Sequence, residues 1–106
     1  MLFRSSGFDA DHVLTLELTL TAPKYKDAAA VADGYRRLWE RLNAIGGVIA
    51  SGGITSLPMS GFFAWGPITV EGRVPLAGEK FINADQRSVA GDYFTAMRIP
   101  LKAGRV

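Results

Sequence analysis

The chain has 106 residues, of which 48% are hydrophobic and 21% charged, with a formal net charge of +2 at pH 7; these values predict one globular domain and exclude intrinsic disorder. The absence of cysteine excludes disulfides, thiolate catalysis and cysteine-based metal sites. No basic cluster alternates with aromatic residues and no apolar run approaches roughly 20 residues, which argues against nucleic-acid binding and against a membrane span within the chain.

The first predicted element is a β-strand over residues 13–21. Leucine occupies positions 14, 16, 18 and 20, and threonine or glutamate occupies the positions between them. This period of two is typical of a strand with two different faces. The leucine face is predicted to pack on a core, and the other face to meet solvent or a second layer.

A long helix is predicted over residues 27–43, because apolar residues recur there at spacings of three and four. Asp27 places a negative charge at the positive end of the helix dipole. Asp33 precedes Arg37 by four residues, which is a favourable pair on a helix surface. Gly46 and Gly47 are expected to end the helix, because glycine adopts the left-handed cap conformation without strain.

The remaining chain is predicted to be mostly β-structure, with a short helix near its end. The predicted elements are a strand over residues 48–51, a long loop over 51–65, strands over 67–73 and 81–89, and a helix over 91–97. The order β-α-β-β-β-α predicts an α+β fold. We expect a two-layer sandwich, with a mixed or antiparallel sheet and the long helix on one face.

No catalytic constellation is expected. His12 is the one histidine in the chain, and it follows Asp9 and Asp11. A carboxylate can orient an imidazole for catalysis, but these residue types are also common in the turn before a strand, and we favour the turn. One histidine without cysteine also argues against a zinc site.

Neither acid–base catalysis nor phosphate binding is indicated elsewhere. Glu71, Glu79 and Asp85 lie in or beside predicted strands, and their spacing does not bring two carboxylates into one cleft. The glycine-rich residues 46–53 lack the Gly-Lys-Ser/Thr sequence of a phosphate-binding loop, and no spaced dinucleotide fingerprint is present. We therefore predict no catalytic, cofactor-binding or metal-binding residues.

The aromatic run of Phe62, Phe63 and Trp65 is the most unusual local feature. Aromatic side chains in a glycine-flanked loop contact a partner or a membrane surface in some proteins. In others they fold back as a small satellite core. Both interpretations stay open, and these three residues are the candidates for partner contact.

Three segments together resemble the MacB-like periplasmic core domain of ABC-transporter permeases of the FtsX-like class. Residues 7–15 (GFDADHVLT) resemble the segment that follows a transmembrane helix in these permeases. Residues 55–61 (TSLPMSG) resemble the family's Leu-Pro-apolar loop. Residues 89–101 (VAGDYFTAMRIPL), followed by Gly104 and Arg105, are similar to the signature Val-Ser-Pro-Gly-Tyr-Phe-x-x-Met-Gly-Ile-Pro-Leu closed by Gly-Arg.

The third segment is the most specific, although it departs from the signature at two points. Ala90 stands where the family often has proline, with Asp92 added before Tyr93. Arg98 stands where glycine is usual after methionine. These departures affect the expected turn geometries.

The resemblance implies a non-catalytic periplasmic domain, part of an integral protein of the bacterial inner membrane. Such domains couple ATP hydrolysis by a separate cytoplasmic subunit to export or mechanotransmission. They need no cofactor, and they work with the rest of the permease, its membrane helices and often a second copy.

The family domain continues past the Gly-Arg pair. We therefore expect residues 1–106 to be one core domain truncated at its C-terminus, an incomplete ferredoxin-like (porter-type) unit. An exposed sheet edge would then favour strand pairing between copies.

Two alternatives carry other functions. One is a small dimeric ferredoxin-like enzyme of the cofactor-free monooxygenase type, with Tyr35, Trp39 and Trp65 as candidates to line a pocket. The other is a cytosolic ligand-binding domain. Hydrophobic stretches of about 20 residues on either side of the domain would favour the permease.

Overall fold

The computed structural model describes residues 6–106. Its contacts divide the chain into two compact units. Unit 1 is the chain up to Gly53 together with Ala90–Val106, and unit 2 is Ile54–Val89. The assignment of all 106 residues to one domain stays a prediction.

The described residues form a small α+β protein, as the sequence predicts. β1 pairs with β4 and β2 pairs with β3, giving two small antiparallel sheets. Trp65 is paired with Asp85 in the second of these sheets, and Ile68 with Ile82. In chain order the elements are a 3₁₀ turn (Pro23–Tyr25), α1 (Ala28–Asn43), β1 (Gly52–Ile54), β2 (Trp65–Ile68), β3 (Ile82–Asp85), β4 (Val89–Gly91) and α2 (Tyr93–Ala96).

The predicted long helix is confirmed as α1. Asp27 is its N-cap residue, and the Asp27 side chain accepts a hydrogen bond of 2.8 Å from the backbone N–H of Ala30. This contact satisfies one of the amide groups that the first turn leaves unpaired. The predicted ion pair of Asp33 with Arg37 is also present, at 2.9 Å. The expected glycine cap is wrong: the helix ends with Ala44 as its C-cap, at a φ of −80°, and Gly47, with a φ of +91°, lies four residues beyond the helix.

The predicted strand over residues 13–21 is wrong for this structure. The chain runs through these residues without a turn or bend, but within residues 6–106 it pairs with no strand. Within the described chain, the backbone of residues 14–21 takes part in one hydrogen bond, 3.3 Å long, from Tyr35 Oη to the carbonyl oxygen of Leu18. Alternating apolar and polar side chains suit a segment to a sheet, but the hydrogen bonds of a strand form only when a neighbouring strand is present.

The other predicted strands are shifted or shortened. The prediction over residues 48–51 ends just before β1, so β1 lies inside the predicted loop 51–65. The strand predicted over 67–73 overlaps β2 at two residues only. The strand predicted over 81–89 is interrupted after β3, and the predicted helix over 91–97 is the single turn α2. The observed order is therefore α-β-β-β-β-α, and the predicted β-α-β-β-β-α sandwich is not reproduced.

The small core of unit 1 lies where α2 meets β1. Among the described residues, the buried hydrophobic side chains are Tyr93 and Met97, which are 5% and 6% exposed. A Cβ atom at Gly52 would lie 2.3 Å from the backbone nitrogen of Tyr93, so only glycine fits at this close approach. Gly91 has a φ of +61°, and a Cβ there would lie 2.9 Å from the carbonyl oxygen of Ser51. These contacts join residues 90–93 to Ser51 and Gly52.

Candidate partner-contact site

The candidate site in unit 2 is organised by Arg87, which follows β3. Its guanidinium donates hydrogen bonds to the carbonyl oxygens of Ser56 (2.5 Å), Leu57 (3.2 Å) and Phe62 (2.7 Å). It also donates two, of 2.8 and 3.0 Å, to Oδ2 of Asp85. A planar guanidinium with five donors can hold several acceptors at once. Arg87 therefore fixes the loop between β1 and β2 at three points.

Asp85 holds the end of the same loop. Its Oδ1 accepts a hydrogen bond of 3.0 Å from the backbone N–H of Ala64, and the carbonyl oxygen of Ala64 accepts one of 2.9 Å from the N–H of Gln86. The Ala64 N–H, and after it the Arg87 guanidinium, hold the pKa of Asp85 below its ordinary value. The carboxylate therefore stays ionised to a lower pH than an ordinary aspartate and keeps both partners there.

The loop presents the three candidate aromatic residues to solvent. Phe62, Phe63 and Trp65 are 61%, 64% and 68% exposed. The rings of Phe63 and Trp65 meet edge to face, with centroids 6.4 Å apart. The backbone beneath these rings is fixed by Arg87 and Asp85, so the rings extend from an ordered base. We call these three side chains the aromatic patch.

The sequence around the aromatic patch is free of charge. No aspartate, glutamate, lysine or arginine occurs in residues 42–70. Leu57 and Met59, in the same loop, are also exposed, Met59 at 86%. An uncharged, apolar loop suits contact with an apolar surface, because no ionised group there loses its hydration on contact.

His12, Asp9 and Asp11 do not form a catalytic group. His12 has a φ of +57° and lies 3.6 Å from Asp11, and both side chains are largely exposed. Asp9 instead accepts hydrogen bonds from the backbone N–H of Asp11 (2.9 Å) and from the guanidinium of Arg98 (2.6 Å). The Asp11 N–H and then Arg98 lower the pKa of Asp9. Asp9 thereby links the first resembling segment to the third.

Two of the strand-end carboxylates have arginine partners in unit 2. Glu79 lies 3.2 Å from Arg73 and accepts a further hydrogen bond of 2.9 Å from the N–H of Leu76. Asp85 is held by Arg87. In the described chain, no group of three or more histidine, aspartate and glutamate side chains could hold a metal ion.

The proposed pocket residues of the enzyme alternative are divided between the units. Tyr35 and Trp39 stack on α1 with ring centroids 6.0 Å apart. Trp65 belongs to unit 2 and to the aromatic patch. Two clefts, one in each unit, have volumes of about 90 and 260 Å³. Sites for small molecules usually have about 300–1,000 Å³.

Comparison of the chain with models of protein families, with curated proteins and with solved structures found no match. No helix in the part of the chain that the structure describes has the length and apolar character needed to cross a membrane.

Sequence reasoning found the aromatic patch but missed the two residues that position it. The signal in the sequence is the Asp-x-Arg spacing of Asp85 and Arg87, which lets the two side chains meet. The acceptors of Arg87 are backbone oxygens up to 31 residues away. No pattern of side chains identifies such acceptors.

Proposed function

We propose that the chain is a non-catalytic periplasmic domain of an ABC-transporter permease of the FtsX-like, MacB-like class. Its function would be to couple ATP hydrolysis by a separate cytoplasmic subunit to export or mechanotransmission. The observation that carries the proposal is the place of residues 89–101, which belong to unit 1 from Ala90 onward. This segment resembles the family signature, and it contributes the buried side chains of Tyr93 and Met97.

The backbone of this segment supports the resemblance at the point of departure. Arg98 has a φ of +51°, a conformation that favours glycine. The family usually has glycine after the methionine, and a left-handed residue at this position is what the resemblance implies. The N–H of Ile99 donates a hydrogen bond of 2.8 Å to the carbonyl oxygen of Phe94, which closes the helix before Pro100.

The aromatic patch supplies a contact surface of the kind that a force-transmitting domain needs. A movement reaches a partner only if the contacting side chains are fixed to the domain. Arg87 and Asp85 fix the backbone of the loop at Ser56, Leu57, Phe62 and Ala64, as described above. We assign Phe62, Phe63 and Trp65 to contact with the rest of the permease or its partner protein.

The first test of the proposal is the reading frame around the 106 residues in the genome. We expect stretches of about 20 hydrophobic residues on both sides, and a gene for an ATP-binding subunit nearby. A frame that starts at Met1 and stops after Val106 would contradict the proposal and favour the small-enzyme alternative.

The second test is substitution of the aromatic patch in the full-length permease. Trp65→Ala is expected to abolish transport while leaving the amount of folded protein unchanged, because the side chain is largely exposed. Phe81→Ala, at another exposed aromatic residue of unit 2, is the matched control and should transport normally. Loss of folded protein on substitution of Trp65 would instead show a packing role.

A further inference from the structure

The leucine segment, residues 13–21, is covered at one end only. The exposed fraction falls along it, from 91% at Leu14 to 68% at Leu16 and 43% at Leu18. Leu20 is half-buried and packs against α1, where its Cδ1 lies 3.0 Å from the position that a Cβ would take at Gly34. Leu14 and Leu16 form an apolar face without a covering layer among the described residues.

One backbone edge of the leucine segment is open. Successive backbone groups of an extended chain point to opposite edges. The Tyr35 hydroxyl, which donates to the carbonyl oxygen of Leu18, therefore lies at the edge of the even-numbered residues. On the other edge, the backbone groups of Thr15, Glu17 and Thr19 take part in no hydrogen bond within the described chain.

This edge carries one charged residue, Glu17, and lacks the other features that protect natural edge strands from pairing. Lysine, proline and bulges commonly block such edges. Residues 13–21 contain no lysine and no proline, and Glu17 is their one charged residue. Segments of alternating polarity with an unblocked edge are templates for another strand.

The exposed area of the chain leaves room for an interface. Its accessible surface is 9229 Å². Two separate compact units of the observed sizes would together expose roughly 2,000 Å² less than this. A specific interface removes only about 800 Å² from each partner. Uncovered surface is therefore sufficient for a stable contact.

We propose that the leucine segment pairs in antiparallel fashion with the same segment of a second copy of this chain, through the edge of Thr15, Glu17 and Thr19 and with Leu18 on the two-fold axis. This inference does not depend on the proposed function. A contact of this kind is isologous, so both copies use the same surface.

The register follows from charge and from coverage. Centring the pair on Glu17 would place two glutamates directly opposite each other, which is destabilising. Centring it on Leu18 places Glu17 opposite Thr19 and Leu16 opposite Leu20 of the second copy. Leu20 packs against α1, so the helix of the second copy then covers the uncovered leucines of the first. Centring on Leu16 would leave the two Leu16 side chains facing each other, away from both helices.

A single-cysteine experiment tests the register, because the chain has no cysteine of its own. In the proposed pair the two Leu18 positions form a non-hydrogen-bonded pair with Cα atoms about 4.5 Å apart, within the range of a disulfide. Leu18→Cys should give a covalent dimer under mild oxidation of the full 106-residue chain. Leu16→Cys is the matched control: its two copies are separated by four residue steps, about 13 Å, and should not cross-link.

Proline substitution and sedimentation test the pairing itself. The unsubstituted chain should sediment as a dimer at concentrations from micromolar to millimolar. Thr19→Pro removes an amide from the pairing edge and should weaken dimerisation by roughly tenfold or more. Helix content from circular dichroism should be unchanged, since Thr19 takes part in no hydrogen bond within the described chain. A monomer at millimolar concentration, undiminished dimerisation of Thr19→Pro, or a cross-link at Leu16 and not at Leu18 would each overturn the proposal.

Discussion

The two units are stabilised by different interactions. The core of unit 1 depends on close approach of backbone segments, with glycine at Gly52 and Gly91 and the buried side chains of Tyr93 and Met97. The loop of unit 2 depends on polar contacts around Arg87. The first arrangement is sensitive to any added atom, whereas the second is sensitive to the geometry of one guanidinium and to the ionisation of its carboxylate partner, Asp85. Each unit contains one tryptophan, Trp39 and Trp65.

This difference can be measured with both units in one molecule. Incorporation of 5-fluorotryptophan gives a ¹⁹F signal for each tryptophan, so urea unfolding of each unit can be followed separately.

The largest effect is expected for Gly52→Ala. The added Cβ would lie 2.3 Å from the backbone nitrogen of Tyr93 and 2.8 Å from the carbonyl oxygen of Ala90, and backbone cannot move aside as a side chain can. We expect the free energy of unfolding reported by Trp39 to fall by about 3 kcal/mol. Gly46→Ala, where no atom lies within 4 Å, is the control. Equal effects of the two substitutions would show that the close approach is not what stabilises unit 1.

A smaller effect, in unit 2, is expected for Arg87→Lys. Lysine keeps the charge but has one ammonium group, which cannot reach the carbonyl oxygens of Ser56, Leu57 and Phe62 together. Loss of these hydrogen bonds should lower the free energy of unfolding reported by Trp65 by about 2 kcal/mol. Arg73→Lys, which changes an arginine of the same unit with one ion-pair partner, is the control. A Trp65 signal unchanged by Arg87→Lys would refute the positioning role of the guanidinium.

The free energies of unfolding reported by the two tryptophans should depend differently on pH. The pKa of Asp85 is lowered in the folded state, by the Ala64 N–H first and by Arg87 second. Its stabilising contribution is therefore complete above the ordinary aspartate pKa of about 4 and is lost as the pH falls through the lowered value. Asp85→Asn should remove this acid-induced loss at Trp65. The contribution of Asp9, whose pKa is also lowered, to the stability of unit 1 should be unchanged. An acid transition at Trp65 that survives Asp85→Asn would contradict this assignment.

The smallest effect is expected for Arg98→Gly. Glycine relieves the strain of the left-handed conformation at residue 98. It also removes the ion pair between Arg98 and Asp9, whose side chains are 44% and 51% exposed respectively, so that little stability is lost with it. The two changes oppose each other, so the net effect should be small. Arg98→Ala loses the ion pair and keeps the strain, so it should be less stable than Arg98→Gly by about 1 kcal/mol. Equal stability of the glycine and alanine variants would argue against strain at this position.

The comparison also shows which parts of the molecule the sequence predicts. Helix α1 could be predicted because its periodicity and its cap at Asp27 are local. The α+β class followed from the mixture of patterns. β1 was missed because glycine is depleted in strands. Glycine is required at Gly52 because the backbone of Tyr93, which lies far away in the sequence, approaches it closely.

The leucine segment shows the opposite error. Its alternation is a strong local signal, but the neighbouring strand that would complete a ladder is not present among the described residues. For the candidate site, the glycine-flanked run of aromatic residues in the sequence identified the aromatic patch. The residues that position it act on backbone oxygens, which every residue has, so no pattern predicts them.

The most direct test of the proposed function is the compartment of this domain in the full-length protein. Ile49 is 91% exposed, so a cysteine there, in a permease from which any other cysteine has been removed, is accessible to a small membrane-impermeant thiol reagent. For a periplasmic domain, Ile49→Cys should be labelled in intact cells whose outer membrane has been made permeable. Labelling that appears only after the inner membrane is broken would place the domain in the cytoplasm and contradict the proposed function.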